Sequence, residues 1–254
     1  MKLTVKYMKS IITTMLMLAI LGACANNSKN SETLVIGYDN TFVPMGFLDE
    51  NGQTVGFDVD LANEVFKRLD YNIQFQSIDW SMKEIELNSG NIDLIWNGYS
   101  LTEERKQLVA YTDAYLQNKQ IIITKADSSV KSKQDLLTAN VGTQQGSASL
   151  NAIENEKGFE KLKPFLYENF DQAFRDLEIE RIDALIIDET YARYYLNQKE
   201  LTNYVILDED FGEEDFVVAF RQQDTDLRDQ VNEMLLKLKA DETFDQIYNK
   251  WFTK

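Results

Sequence analysis

The side chains able to do chemistry in this chain sit where apolar runs end. Residues 34–36 read as a short buried strand that delivers Asp39 just past its carboxyl end. Residues 87–98, LNSGNIDLIWNG, and residues 177–188, LEIERIDALIID, repeat one pattern: a Leu closing a helical stretch, an Ile-Asp pair five residues later, then a short apolar run. The first run ends on Gly98 with Ser100 just beyond it, and the second ends on Asp188. Thr102-Glu103-Glu104 is an N-cap signature, and Arg105 falls in the first turn it opens, where a cation opposes the helix dipole and an anion nearby would relieve it. Gly146-Ser147, at the start of a further helical stretch, offers backbone N–H groups that suit an anion such as a carboxylate. In an open α/β sheet the carboxyl ends of strands are where ligands bind. The chemistry these groups support is therefore recognition of a small charged molecule in a cleft between two similar α/β halves. Acid and base work by Asp39 and Asp188, as in a hydrolase or dehydratase, is a second reading.

Composition removes several classes. The 254 residues fit two lobes of about 100 residues each, and 44% hydrophobic with 11% aromatic content marks a folded chain. The balance of 26 basic against 42 acidic residues gives a net charge of −16, which opposes nucleic-acid binding. There is no histidine, so Ser-His, Cys-His and most zinc chemistries are excluded, and no metal or cofactor motif is present. The acidic stretch 208–215 lacks the spacing and central Gly of a calcium loop and reads as a solvated edge of a hinge.

The elements that must position the candidate groups follow from periodicity. A turn at 49–52 precedes a helix opened by Asp60, with Leu61, Ala62, Val65, Phe66 and Leu69 on one face. A strand at 73–75 runs into Asp79-Trp80, and a second helix spans 82–87. The plan repeats with a strand at 121–123, a short helix at 134–137, a strand at 139–142 and a helix from 149 onward. A strand at 217–220 leads to one last long helix carrying Leu227, Val231, Met234, Leu235 and Leu238. A chain that begins and ends in the first half crosses twice between halves, which makes a hinge. At the N-terminus, Lys2, Lys6 and Lys9 followed by the apolar run 11–21 form an export signal over residues 1–23, too short for a stable span. It ends in Leu21-Gly22-Ala23-Cys24, similar to the lipobox of bacterial lipoproteins. Cys24 is the one cysteine, so no disulfide forms within the chain. Residues 24–32 read as a polar tether.

The ordered set GFDVDLA at 56–62, SGNIDLI at 89–95, LTEER at 101–105, TDAY at 112–115, Val141-Gly142 with Gly146-Ser147, RIDA at 181–184 and IYNKWF at 247–252 resembles the polar amino acid binding proteins of ABC importers, the family-3 extracellular solute-binding proteins. The resemblance implies a two-lobe α/β fold of the type II periplasmic-binding-protein class, with residues 33–116 and 216–254 in lobe 1, residues 117–215 in lobe 2, and two hinge strands near 115–120 and 211–216. It implies that Arg105 clamps a ligand α-carboxylate, a task that suits a planar fork, helped by backbone N–H groups of Ser147 or Ala148. Asp188 would take the α-ammonium group, assisted by Gly98 and Ser100. Phe42 and Trp80 would flank the ligand chain, and Asp39 would hold its far end. Gln144 stands where some relatives carry lysine or a hydrophobe, Trp96-Asn97 replaces smaller residues, and Met45-Gly46 follows Pro44. An aromatic pocket with one buried acid favours a ligand ending in a donor: arginine first, then glutamine, with cystine a further option. The implied partners are a free amino acid, a permease with its cytoplasmic ATPase, and the membrane through lipid on Cys24, with the protein a monomer on the outer face of the cell membrane of a bacterium, Gram-positive by the need for an anchor. No catalysis and no cofactor are implied. A sensor module for a separate receptor chain is the remaining alternative.

Overall fold

The computed structural model describes residues 33–253. The expected export signal, Cys24 and the tether lie outside them. In chain order the elements are β1 (Thr33–Tyr38), β2 (Thr41–Phe42), β3 (Gly46–Leu48), β4 (Thr54–Val55), α1 (Phe57–Arg68), β5 (Asn72–Ser77), a 3₁₀ turn (Trp80–Met82), α2 (Lys83–Ser89), β6 (Leu94–Ser100), a 3₁₀ turn (Arg105–Gln107), β7 (Ala110–Tyr111) and β8 (Leu116–Lys125). A 3₁₀ helix (Lys133–Thr138) follows, then β9 (Val141–Gln144), α3 (Ala148–Asn155), β10 (Phe165–Tyr167), α4 (Phe170–Glu178), β11 (Ala184–Asp188), α5 (Glu189–Gln198), β12 (Tyr204–Phe220), α6 (Thr225–Ala240) and α7 (Thr243–Phe252).

One nine-stranded sheet runs in the order β10-β9-β11-β8-β12-β6-β1-β5, with β7 on β12, beside a small sheet β2-β3-β4. Two parallel blocks, β5-β1-β6 and β11-β9-β10, are joined by β8 and β12, which pair antiparallel with each other and with their blocks. All residues of β6 and of β11 are buried, as expected of parallel strands covered on both faces, and this is what the two repeated motifs encode. Each block thus presents the end of its inner strand, Ser100 or Asp188, next to the two connecting strands. Among the described residues no helix is long and apolar enough to cross a membrane.

Two elements differ from expectation. Helix α1 opens at Phe57 and not at Asp60, because the Phe57 and Asp58 N–H groups bond the carbonyls of Pro44 and Met45, so the first-turn donors are satisfied one turn earlier. Strand β12 begins at Tyr204 and carries the acidic stretch, since β8 offers it a pairing partner through two register shifts, near 206–210 and 210–213. The last long helix falls as expected on α6, and a break where Glu242 adopts φ 63° separates it from α7.

Candidate functional site

Arg105 enters the site from a short helix that is a single 3₁₀ turn, capped as expected by Thr102, whose Oγ1 accepts from the Arg105 N–H at 3.2 Å. Its side chain is buried. Nη1 donates to the Ser100 carbonyl at 2.7 Å, Nη2 donates to the Gly146 carbonyl at 3.0 Å, Nε lies 3.5 Å from Glu84, and the guanidinium sits 4.6 Å above the Tyr99 ring. The fork therefore spans from β6 to the turn before α3. Lys83, which no sequence motif singles out, meets it there: its buried ammonium donates to Gly146 O at 2.8 Å and Trp80 O at 3.0 Å. Burial, and then the Arg105 charge, lower the Lys83 pKa to about 7. Two cations converge on one carbonyl, and Glu84, 3.3 Å from Lys83 and 3.5 Å from Arg105, offsets one of the two charges, which leaves a net positive corner for an anion.

The Gly146-Ser147 turn differs from expectation in orientation. Gly146 presents its carbonyl to the cations, while the Ser147 N–H bonds Gln144 O at 3.3 Å and the Ser147 hydroxyl donates to Gln144 O at 2.8 Å while accepting from Leu150 N. Ala148 is buried and lines a neighbouring cavity of about 530 Å³ with Leu101, Gln120 and Glu214.

Asp188 ends β11, fully enclosed, and accepts from Asn118 Nδ2 at 2.7 Å and Gln120 Nε2 at 2.9 Å. Both amides come from β8, one residue apart in its alternation, so they share a face. The same two nitrogens donate to Glu214 on β12, each at 2.7 Å, and Ser100 Oγ donates to Glu214 at 2.5 Å. Burial first, then the Glu214 charge, hold the Asp188 carboxyl well above the ordinary carboxylate range. Ser100 links the two poles, since its carbonyl accepts from Arg105 while its hydroxyl reaches Glu214. Gly98, two residues before it on β6, has φ 54°, and a Cβ there would stand 2.7 Å from the Phe42 ring, so only glycine fits without strain. Its N–H donates to Asp58 Oδ2 at 2.7 Å, and Tyr115 OH, just before β8, donates to the same oxygen at 2.9 Å. Asp58 is fully buried, and its burial raises its pKa to about 7 against the pull of those donors and of Trp96.

Asp39 lies past the end of β1, buried, with Oδ1 accepting from the Thr41 N–H and hydroxyl and Oδ2 accepting from Gln144 Nε2 at 2.8 Å. Burial raises its pKa and these bonds oppose the rise. The sequence calls for a ligand donor to satisfy this acid; the chain supplies one itself through Gln144, which also donates to Glu168 O. Asp39 shares a cavity of about 240 Å³ with Asp79, Trp80, Glu168 and Asn169. Phe42 is buried against Phe170 and Tyr191 of the second block, with ring centroids 6.2 and 5.5 Å away. Trp80 is buried beside Tyr99, at 6.3 Å.

The candidates thus form two linked poles, one cationic around Arg105 and Lys83 and one acidic around Asp188 and Glu214, with an acid-lined recess at Asp39. Sequence reasoning missed Glu214, Asn118, Gln120, Lys83 and Asp58. Asn118 and Gln120 lie in an unbroken polar run, 117–120, and Glu214 in an acidic run, 213–215, so no alternation marks which of them turn inward, and Lys83 had no signal either.

Comparison with known proteins places this arrangement. An arginine-binding extracellular protein of Bacillus subtilis strain 168, ArtP, is 31% identical over 243 residues, covering 92% of each chain. The crystal structure of an ABC uptake transporter substrate-binding protein from Streptococcus pneumoniae with bound histidine superposes with a TM-score of 0.84 at 39% identity, covering 87% of this chain and 93% of that one. An ancestral arginine-binding protein bound to arginine gives a TM-score of 0.81 at 37% identity, covering 87% and 98%. The model of the bacterial extracellular solute-binding proteins, family 3, matches residues 34–254. The chain is a member of that family, with its two-lobe α/β fold.

Proposed function

We propose that the protein is the binding component of an ABC importer for a polar amino acid, most suited to arginine, and that it acts by closing its two lobes on the ligand without bond chemistry. The observation that carries this reading is the pairing of two buried, oppositely charged poles, Arg105 and Asp188, connected through Ser100 at the ends of facing strands. An α-amino acid headgroup has that polarity. Arg105 holds the carboxylate, exchanging its bonds to the Ser100 and Gly146 carbonyls for a bidentate pair with an ionised acceptor, with Ser147 or Ala148 N–H groups contributing as the turn reorients. Asp188 holds the ammonium, with the Gly98 carbonyl and Ser100 beside it. Phe42 and Trp80 flank the side chain, whose end reaches Asp39 and Gln144. The acids Asp39, Asp79 and Glu168 around that recess, with no lysine or arginine in its lining, favour a cationic end. Glutamine and cystine rank below arginine. Relatives named for arginine and histidine support the same class.

Residues 33–116 and 216–254 form lobe 1 and residues 117–215 form lobe 2, turning about hinges near 115–120 and 211–216. Ligand stabilises the closed state in proportion to its differential affinity for it, and hinge closure around a ligand is an established motion of periplasmic binding proteins. A lipid on Cys24 holds the monomer at the outer face of the cell membrane, where a permease driven by an ATPase receives the ligand. Mass spectrometry of the small molecules released on denaturing the purified protein tests this. Recovery of an intact amino acid, arginine foremost, is expected; recovery of a carbohydrate, or a chemically altered compound, would contradict it.

A further inference from the structure

Glu214 stands opposite Asp188 across β8 in a way that the headgroup reading leaves unused. In register, Asp188 pairs with Gln120 and Glu214 pairs with Asn118, so the two acids flank β8 from its two neighbouring strands on the face shared by Asn118 and Gln120. Each amide nitrogen spends one hydrogen on Asp188 Oδ1 and the other on Glu214 Oε1, at 2.7 to 2.9 Å. All four amide hydrogens are thus committed to one pair of facing oxygens. The remaining donor is the Ser100 hydroxyl, again on Glu214 Oε1. Gln120 Oε1 is bound by the Ser149 hydroxyl and Asn118 Oδ1 by the Thr190 N–H and hydroxyl, which fixes both amides with their nitrogens toward the acids.

Every donor in this cluster is neutral. From β8, Lys119 faces away and lies near Asp210 and Glu213. Beyond β6, Glu103 pairs with Lys106, Glu104 bonds Asn151, and the Arg105 guanidinium reaches only the Ser100 carbonyl on this side. From α5, Glu189 pairs with Arg193. Among the described residues no lysine or arginine forms an ion pair with Asp188 or Glu214. Asp188 is buried and Glu214 half-buried, and two carboxylates around shared neutral donors resist ionising together without a cation between them.

We propose that Glu214 is a second ligand-contacting acid of the ammonium pole and that, with no ligand present, Asp188 keeps beside it a proton that an incoming ammonium group displaces. This rests on the amino acid reading above. The balance is simple: the carboxyl O–H bond breaks, the proton leaves to solvent by way of the cavity that Glu214 and Gln120 line, and the ammonium keeps its three hydrogens, two of which serve the two acids. The raised pKa of Asp188 agrees with a retained proton. Because Glu214 lies on β12 and Asp188 on β11, the ammonium also ties a strand between the lobes to the second lobe. Neither the sequence motifs nor the relatives' names assign such a role to residue 214.

Titration calorimetry with L-arginine between pH 5 and 8, repeated in buffers of different ionisation enthalpy, reads the proton directly. The α-amino group of L-arginine stays protonated below about pH 7, so the slope is read between about pH 5 and 7. Release of about one proton is expected at the acidic end, with Kd tightening up to about tenfold per pH unit until the Asp188 carboxyl has titrated. Glu214→Gln, which keeps the hydrogen-bonding shape, is expected to fold, to bind L-arginine about tenfold or more weakly at pH 8, and to lose most of the pH slope. Wild-type binding without proton release at any pH in the range overturns the proposal, whatever the variant does. So does full proton release retained by Glu214→Gln. If neither L-arginine nor any other proteinogenic amino acid binds, the amino acid reading itself fails and takes this proposal with it, whereas binding without proton exchange leaves that reading intact.

Discussion

Replacing Arg105 by alanine is the sharpest perturbation of the cationic pole. With no ligand, its two terminal nitrogens each bond a neutral carbonyl, on Ser100 and Gly146. Both of these bonds already carry the guanidinium charge; carboxylate binding replaces them with a bidentate pair between two ionised groups, each bond contributing about 1.5 to 3 kcal/mol. Truncation also leaves the ligand carboxylate desolvated beside Lys83, whose ammonium is already committed to Trp80 O and Gly146 O. The combined loss on binding is about 2 to 5 kcal/mol, or roughly 30-fold to several thousand-fold in Kd. Arg105→Lys keeps the charge without the planar fork and is expected between wild type and Arg105→Ala. Quenching of the tryptophan emission, with Trp80 at the cleft, provides a titration signal, and thermal unfolding of each unliganded variant checks that the fold survives loss of the contact over Tyr99. A folded Arg105→Ala protein that binds its amino acid as tightly as wild type would refute the carboxylate assignment.

Further expectations follow from the same geometry. Gly98→Ala forces a side chain into φ 54° and against the Phe42 ring at 2.7 Å, so a loss of about 1 to 3 kcal/mol of stability is expected in urea unfolding; an unchanged midpoint would show that this stretch relaxes freely. Asp58 is protonated more readily folded than unfolded, with its pKa raised from 3.8 to about 7. Its contribution is full below about pH 4 and is lost as pH rises through about 7, by up to about 4 kcal/mol. Asp58→Asn should flatten that part of the stability curve, and a variant that keeps the wild-type pH slope between about 4 and 7 would remove Asp58 as its source. Asp39→Asn is expected to weaken L-arginine by about tenfold and L-glutamine by less, since it removes a charge while keeping an acceptor for Gln144. Equal losses for both ligands in parallel titrations would show that Asp39 does not read ligand charge.

Much of the scaffold was legible in the sequence because burial on both faces leaves a continuous apolar run, as in β6 and β11, and because those runs end on the candidate residues Gly98, Ser100 and Asp188. Arg105 was legible through its awkward placement after Thr102-Glu103-Glu104. What pairing between distant strands decides was not. The acidic stretch from 208 to 215 looked like a solvated edge, yet β8 captures it by two register shifts and turns Glu214 inward beside Asp188. Gln144 appeared only as a substitution at a pocket position, and its bond to Asp39 needs residues 105 positions apart to meet. Lys83 opens an ordinary amphipathic helix; its burial comes from the Gly146 turn folding over it, a long-range contact that no local pattern carries.

Calorimetric titration of the purified protein with each of the twenty amino acids tests the zwitterion grip most directly. One saturable site is expected, tightest for L-arginine, with the amide and amine derivatives of that amino acid that lack either headgroup charge binding at least about thirtyfold more weakly. Tight binding of L-glutamate or L-aspartate with none of L-arginine would contradict the proposed ligand, and full affinity for a derivative missing its carboxylate or its ammonium would contradict the two-pole site itself.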